Sequence, residues 1–209
     1  MKMQRILLIR LSAIGDVAMA SGLLPPLRAA HPDAHIAWLV EPAAADLLRA
    51  NPRLNEVIVW PRAVWLKLWR ERRFGELWRT MREFRAQLRA RSFDTVVDLQ
   101  GLLKSGLLAF FSGAARRIGL RSKEGSQLLM SQVVPHQRGD PRIGSEYRQL
   151  TGALGLQEQQ FAMDIAVDAA DAAAAAQMLR VAGIGDQYIV ICPFTTRAQK
   201  HWFEERWVE

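Results

Sequence analysis

Short runs of apolar, β-prone residues recur along this chain with room for a helix between them, and this recurrence restricts the fold more than any other feature. RILLIRL at 5–11, HIAWLV at 35–40, EVIVW at 56–60, DTVVDL at 94–99 and YIVIC at 188–192 read as strands. The first is apolar enough to be buried on both faces. Between them lie helical patterns. Leu77, Met81, Phe84 and Leu88 follow one another at steps of four, three and four, which puts them on one face of a helix over 76–91, with Arg82, Arg85 and Arg89 in a neighbouring row. A helix from about Val17 is expected to be bent or interrupted by Pro25 and Pro26. Alternation of this kind builds an α/β domain: a mostly parallel sheet covered on both sides, with its binding crevice beyond the carboxyl ends of the strands.

The stretch RLSAIGDVAMAS at 10–21 puts Gly15 and Asp16 in that crevice, where the pattern turns from strand to helix. An acidic residue there serves first as a helix cap, accepting from N–H groups that lack partners in the first turn. The same stretch imitates a secretory signal, but Arg10 and Asp16 interrupt the apolar segment. The turn lacks the G-x-G-x-x-G spacing, so a nicotinamide or flavin cofactor is not expected at it. No apolar run approaches the roughly 18–20 residues of a membrane span. The single cysteine, Cys192, reads as a buried strand residue; it has no internal disulfide partner, which fits a reducing cytoplasm.

Charge is distributed unevenly. The segment 62–91 holds ten basic residues against three acidic, a surplus equal to the +7 of the whole chain, so the remainder is balanced. Such a local surplus implies a partner of negative charge.

A boundary falls near 161–168. Beyond it, DAADAAAAAQMLR reads as an alanine-rich helix capped by Asp168 or Asp171, and the 188–192 strand runs into CPFTTRAQKHW, a loop whose hydroxyls, free N–H groups and lysine suit a phosphate. Two domains are therefore expected, 1–166 and 167–209. The second is expected to be incomplete, because one strand and two short helices have no sheet to join.

Three stretches taken together, RLSAIGD after the first strand, VDLQGLLKSGLLA at 97–109 and FTTRAQKHWFEERW at 194–207, resemble the ADP-heptose:lipopolysaccharide heptosyltransferases of inverting glycosyltransferase family 9. With the basic, tryptophan-bearing segment after Trp60, the chain looks most like the branch that adds the first heptose to the inner core, with heptosyltransferase II a close competitor. The resemblance implies a GT-B architecture of two Rossmann-like domains, acceptor on the first and nucleotide sugar mainly on the second. It implies Asp16 as general base, and Thr195, Thr196 and Lys200 as ligands of the donor diphosphate. It also implies an acidic lipopolysaccharide acceptor, the octulosonic-acid sugars on lipid A, met by Arg62, Lys67, Arg70, Gln100, Lys104 and Lys123. No cofactor and no metal are called for. The family's acidic nucleotide-binding residue and D-T-G-x-x-H turn have no counterpart in the sequence, which is expected to be a truncated form. The setting implied is the cytoplasm, peripheral to the cytoplasmic face of the inner membrane.

Two other classes use the same basic segment. A nucleic-acid-binding module would track phosphates with it and stack bases on Trp65, Trp69 and Trp78; a non-catalytic membrane-surface protein would use it as an amphipathic anchor. Neither accounts for RLSAIGD together with TTRAQK.

Overall fold

The computed structural model describes residues 3–120, 122, 124–135, 144–157, 161–185, 187–192 and 200–208. They fall into two compact units, Met1–Val167 and Asp168–Glu209.

The first unit is built on six parallel strands: β1 (Arg5–Ile9), β2 (His35–Val40), β3 (Glu56–Val59), β4 (Thr95–Asp98), β5 (Arg116–Leu120) and β6 (Gln132–Val134). Their order across the sheet is β3-β2-β1-β4-β5-β6, so the chain winds outward from β1 to one edge and returns past it to the other. β1 lies centrally, with Ile6 opposite Ile36 of β2 and Thr95 of β4. Both faces are covered, which is why Ile6–Ile9 reads as an unbroken apolar run: Ile6 and Leu8 go into one core with Trp38 and Val97, while Leu7 and Ile9 go into the other with Leu39 and Val96.

The crossovers are α1 (Ile14–Ala20), a 3₁₀ turn (Ser21–Leu23), α2 (Leu24–Ala30), α3 (Pro42–Arg49), α4 (Arg62–Arg70), α5 (Phe74–Ala90) and α6 (Leu103–Ser112); α7 (Ser145–Ala153) follows β6. The region after β1 differs from the sequence expectation. Helix begins at Ile14 rather than at about Val17, while the expected interruption is present: the 3₁₀ turn separates α1 from α2, and Pro25 and Pro26 lie in the first turn of α2. A proline there gives up only an N–H that has no helical acceptor in any case. Two strands, β5 and β6, were not expected at all. RRIGL hides its pattern behind two arginines, of which Arg117 turns its guanidinium back onto the Leu129 carbonyl, 2.7 Å away.

The segment 161–167 closes the unit. Asp164 takes hydrogen bonds from Asn51 and an ion pair from Arg53 at 2.9 Å, while its own N–H donates to Ser21 Oγ. The crossing is close: a Cβ at Gly22 would lie 2.7 Å from the Ala162 carbonyl oxygen.

In the second unit α8 (Ala169–Val181) is capped by Asp168, whose side chain accepts from the Asp171 N–H at 2.8 Å, and α9 (Glu205–Val208) is a single turn. Residues 188–192 are not a strand, and Cys192 is exposed rather than buried. A strand needs a neighbour to take its N–H and C=O groups, and no strand stands among the described residues of this unit. Among the described residues no helix is long and apolar enough to cross a membrane.

Candidate functional site

The carboxyl ends of β1, β2, β3 and β4 deliver charged side chains to one edge of the sheet. Arg10, one residue past β1, is almost completely buried and lies against three elements. Its guanidinium forms an ion pair with Asp16, donates to the Leu99 carbonyl at 2.9 Å and stands 5.9 Å from the Tyr147 ring centroid. Its carbonyl accepts from the Trp38 indole at 3.2 Å. Asp16, in the first turn of α1, also reaches back to the Ala13 N–H at 3.3 Å, so its carboxylate does help cap the helix. Its side chain still keeps 39% of its surface open. The Tyr147 hydroxyl lies 3.5 Å from the Asp16 carbonyl, and burial pushes that phenol well above its ordinary range, so it stays a donor.

The β4 end is organised by Asp98, which is fully buried. Its Oδ1 accepts from the N–H groups of Gln100 and Gly101 at 3.0 and 3.1 Å, and the Ser105 hydroxyl lies 2.9 Å from Oδ2. Burial pushes Asp98 up to about 6, against the pull of those bonds and of Arg10. The turn so fixed aims Gln100 Oε1 at the Leu11 N–H, 2.7 Å away. Gln100 is thus a brace between the β4 and β1 turns.

Of the cations expected to meet an acceptor, Lys104 and Arg62 come together on one carboxylate. Glu41, at the end of β2, lies 3.4 Å from Lys104 Nζ and 3.8 Å from Arg62 Nε. Lys104 also stands 5.8 Å from the Trp60 ring centroid. Lys67 and Arg70 sit further out on the exposed side of α4, Lys67 at 4.0 Å from Glu71. Lys200 is exposed in the second unit. Thr195, Thr196 and Lys123 lie outside the described residues. Among the described residues no group of acidic, histidine and cysteine side chains is placed to hold a metal.

Sequence reasoning gave no role to Arg10, Asp98, Glu41 or Tyr147. Arg10 and Asp98 did carry a signal, a charge at the end of an otherwise apolar strand, which must find a partner if it is buried. Glu41 and Tyr147 carried none.

The profile of glycosyltransferase family 9 (heptosyltransferase) matches residues 81–209. This chain belongs to that family. Over 207 residues it is 30% identical to lipopolysaccharide heptosyltransferase 1 of Pseudomonas aeruginosa, with 98% of this chain aligned to 56% of that protein. Its fold is similar to that of Escherichia coli heptosyltransferase WaaC, solved with ADP-2-deoxy-2-fluoro heptose, at a TM-score of 0.71 and 26% identity over 98% of this chain and 63% of that one. A family 9 glycosyltransferase from Veillonella parvula shares the fold at a TM-score of 0.77 and 20% identity, over 99% of this chain and 58% of that one. The family 9 chain described here therefore spans a little over half the length of these relatives. Its α/β architecture, with a parallel six-stranded sheet, is that of the GT-B glycosyltransferases of the family.

Proposed function

We propose that this family 9 chain carries the acceptor side and the general base of an inverting heptosyltransferase. In this reading it moves heptose from ADP-L-glycero-D-manno-heptose to the octulosonic acid of the lipopolysaccharide inner core, at the cytoplasmic face of the inner membrane. The supporting observation is the half-open Asp16 carboxylate, held at the carboxyl edge of the central strand by a buried arginine. An acceptor hydroxyl seated on Asp16 gives up its proton to the carboxylate while its oxygen attacks the anomeric carbon. The bond from that carbon to the ADP oxygen breaks on the opposite face, and ADP leaves with the electron pair, so the sugar is inverted. A positioned carboxylate in this role is worth about 10²–10⁴-fold in rate. Arg10 and Gln100 orient the turn that bears it. Arg62 and Lys104 at the crevice, and Lys67 and Arg70 further out on α4, are assigned to the acid groups of the acceptor, as is Lys123 by the family resemblance. Thr195, Thr196 and Lys200 are assigned to the donor diphosphate, where charge develops as ADP departs.

The test is Asp16→Asn in this chain completed with the part of the P. aeruginosa relative that it does not span. ADP release would be followed with ADP-heptose and a heptose-deficient lipopolysaccharide. Acceptor binding should be retained and kcat should fall at least about a hundredfold. A kcat within a few-fold of the parent would remove Asp16 from the role.

A further inference from the structure

The hairpin of α4 and α5 presents a surface that the crevice does not use. Along α5, Phe74, Trp78, Arg82, Arg85 and Arg89 follow at steps of four, four, three and four, which aligns them as one stripe. All five are exposed, Phe74 at 52% and Trp78 at 64% of their surface. At the tip of the hairpin Trp69, 62% exposed, packs edge-to-face on Phe74 with centroids 5.3 Å apart, so the aromatic end is continuous across both helices. The inward side of α5 is separate and holds Phe84 and Leu88.

The acidic residues lie off this stripe, although Glu83 lines the same shallow hollow as Trp78 and Arg82. Glu76 and Glu83, seven residues apart, share the far side of the helix, and the hairpin's three carboxylates are already engaged: Glu71 and Glu76 by Arg73, Glu83 by Arg79. Arg82, Arg85 and Arg89 have no carboxylate of a described residue within 4.0 Å. The stripe is therefore aromatic at one end and cationic at the other, and its arginines form no ion pair with a described carboxylate.

We infer that this stripe docks the protein on the surface of a bilayer carrying anionic phosphodiester headgroups, with Trp69, Phe74 and Trp78 entering the interface and Arg82, Arg85 and Arg89 lying on the phosphates. Aromatic side chains gathered at one tip match the apolar layer beneath headgroups, and a row of arginines beside them matches the phosphate layer above it. Stacking on nucleic acid asks instead for aromatics spread along the cationic track, and the stripe offers no carboxylate to the arginines of a second copy. The inference rests on the reading of a lipid-borne acceptor only in that such an acceptor brings the protein to a membrane. The hairpin also starts at the crevice, since Arg62 opens α4 and shares Glu41 with Lys104.

The experiment is sedimentation of the 209-residue chain with vesicles of phosphatidylcholine alone and of equal parts phosphatidylcholine and phosphatidylglycerol, with no sugar ligand. The chain should sediment with the anionic vesicles and stay in solution with the neutral ones. Trp69→Ser with Trp78→Ser should abolish sedimentation at physiological salt, and Arg82→Gln with Arg85→Gln should weaken partitioning about thirtyfold. Because all four side chains are exposed, circular dichroism should match the parent in both variants; Trp78→Ser alone provides the same test with less change to the surface. Failure of the parent to bind anionic vesicles, or binding of the variants at parental strength, overturns the inference. So does a parent that is dimeric through this stripe, or one that binds single-stranded RNA more tightly than the vesicles and loses that binding in the same variants. The vesicles carry no acceptor, so a negative result leaves the Asp16 assay untouched, and inactivity in that assay leaves vesicle binding untouched.

Discussion

Asp98 is a carboxyl group enclosed by the β4–α6 turn with three donors around it, and its protonation is a stability variable. The folded protein binds the proton at about 6, whereas the ordinary value is 3.8. Protonation therefore favours the fold: the contribution of Asp98 is fully present below 3.8 and is lost as pH rises through about 6. Glu56 acts in the opposite sense, since hydrogen bonds from Arg91 hold its carboxyl below 4.5, and its contribution is lost only as pH falls below that value. Stability that declines between 3.8 and about 6 is thus the mark of Asp98. Asp98→Asn should flatten this decline in urea titrations, because the amide keeps an acceptor for Gln100 and Gly101 and turns a donor to Ser105. Asp98→Ala strands two N–H groups and should cost about 1–3 kcal/mol at neutral pH. An unchanged slope in the asparagine variant would assign the decline to another group. At this scale the sequence was legible where chemistry is local. Asp16 could be placed at the turn because strand and helix patterns meet there. Glu41 could not be paired with Lys104, since 63 residues separate them and only the sheet order brings β2 and β4 to the same crevice.

The 3₁₀ turn between α1 and α2 is the element on which the first unit closes. Gly22 gives the 161–164 segment room to cross it, and Ser21 holds that segment through the Asp164 N–H. Gly22→Ala should destabilise the unit by about 1–3 kcal/mol, because the methyl group meets a backbone carbonyl that cannot turn away. Hydrogen exchange at the Asp164 amide should quicken in the same variant, and parental exchange there would mean that the crossing yields without cost. The four strands expected in this unit all formed, as did the α5 helix, because each apolar run has neighbouring strands to pair with and the α5 pattern repeats over four turns against the sheet. β5 and β6 were hidden for a different reason: in one, three of five residues are arginine or glycine, the other is three residues long, and both depend on neighbours in the sheet for their hydrogen bonds. The 188–192 run failed in the converse way, being apolar enough for a strand but without a partner among the described residues.

Across the whole molecule, order is supplied unevenly. β1, β2 and β4 are buried on both faces, whereas α8 buries no residue and relies on alanine propensity and its Asp168 cap. A helix of that length is marginal in water without packing. Exchange measured amide by amide should therefore run at least about a hundredfold faster in α8 than in the central strands, and equal protection would show that α8 has a packed face. The crevice adds a further consequence through Glu41. Its carboxylate already engages Lys104 and lies 3.8 Å from Arg62, so on the proposed reading an incoming sugar acid would take the place of a resident carboxylate rather than add charge to an empty cationic hole. Binding there would be an ion exchange within the protein, in which the released ions number fewer than the cations touched. Free phosphate and other small anions would then have little to gain by occupying the crevice, and discrimination would fall to ligands that bring a second anchor with them.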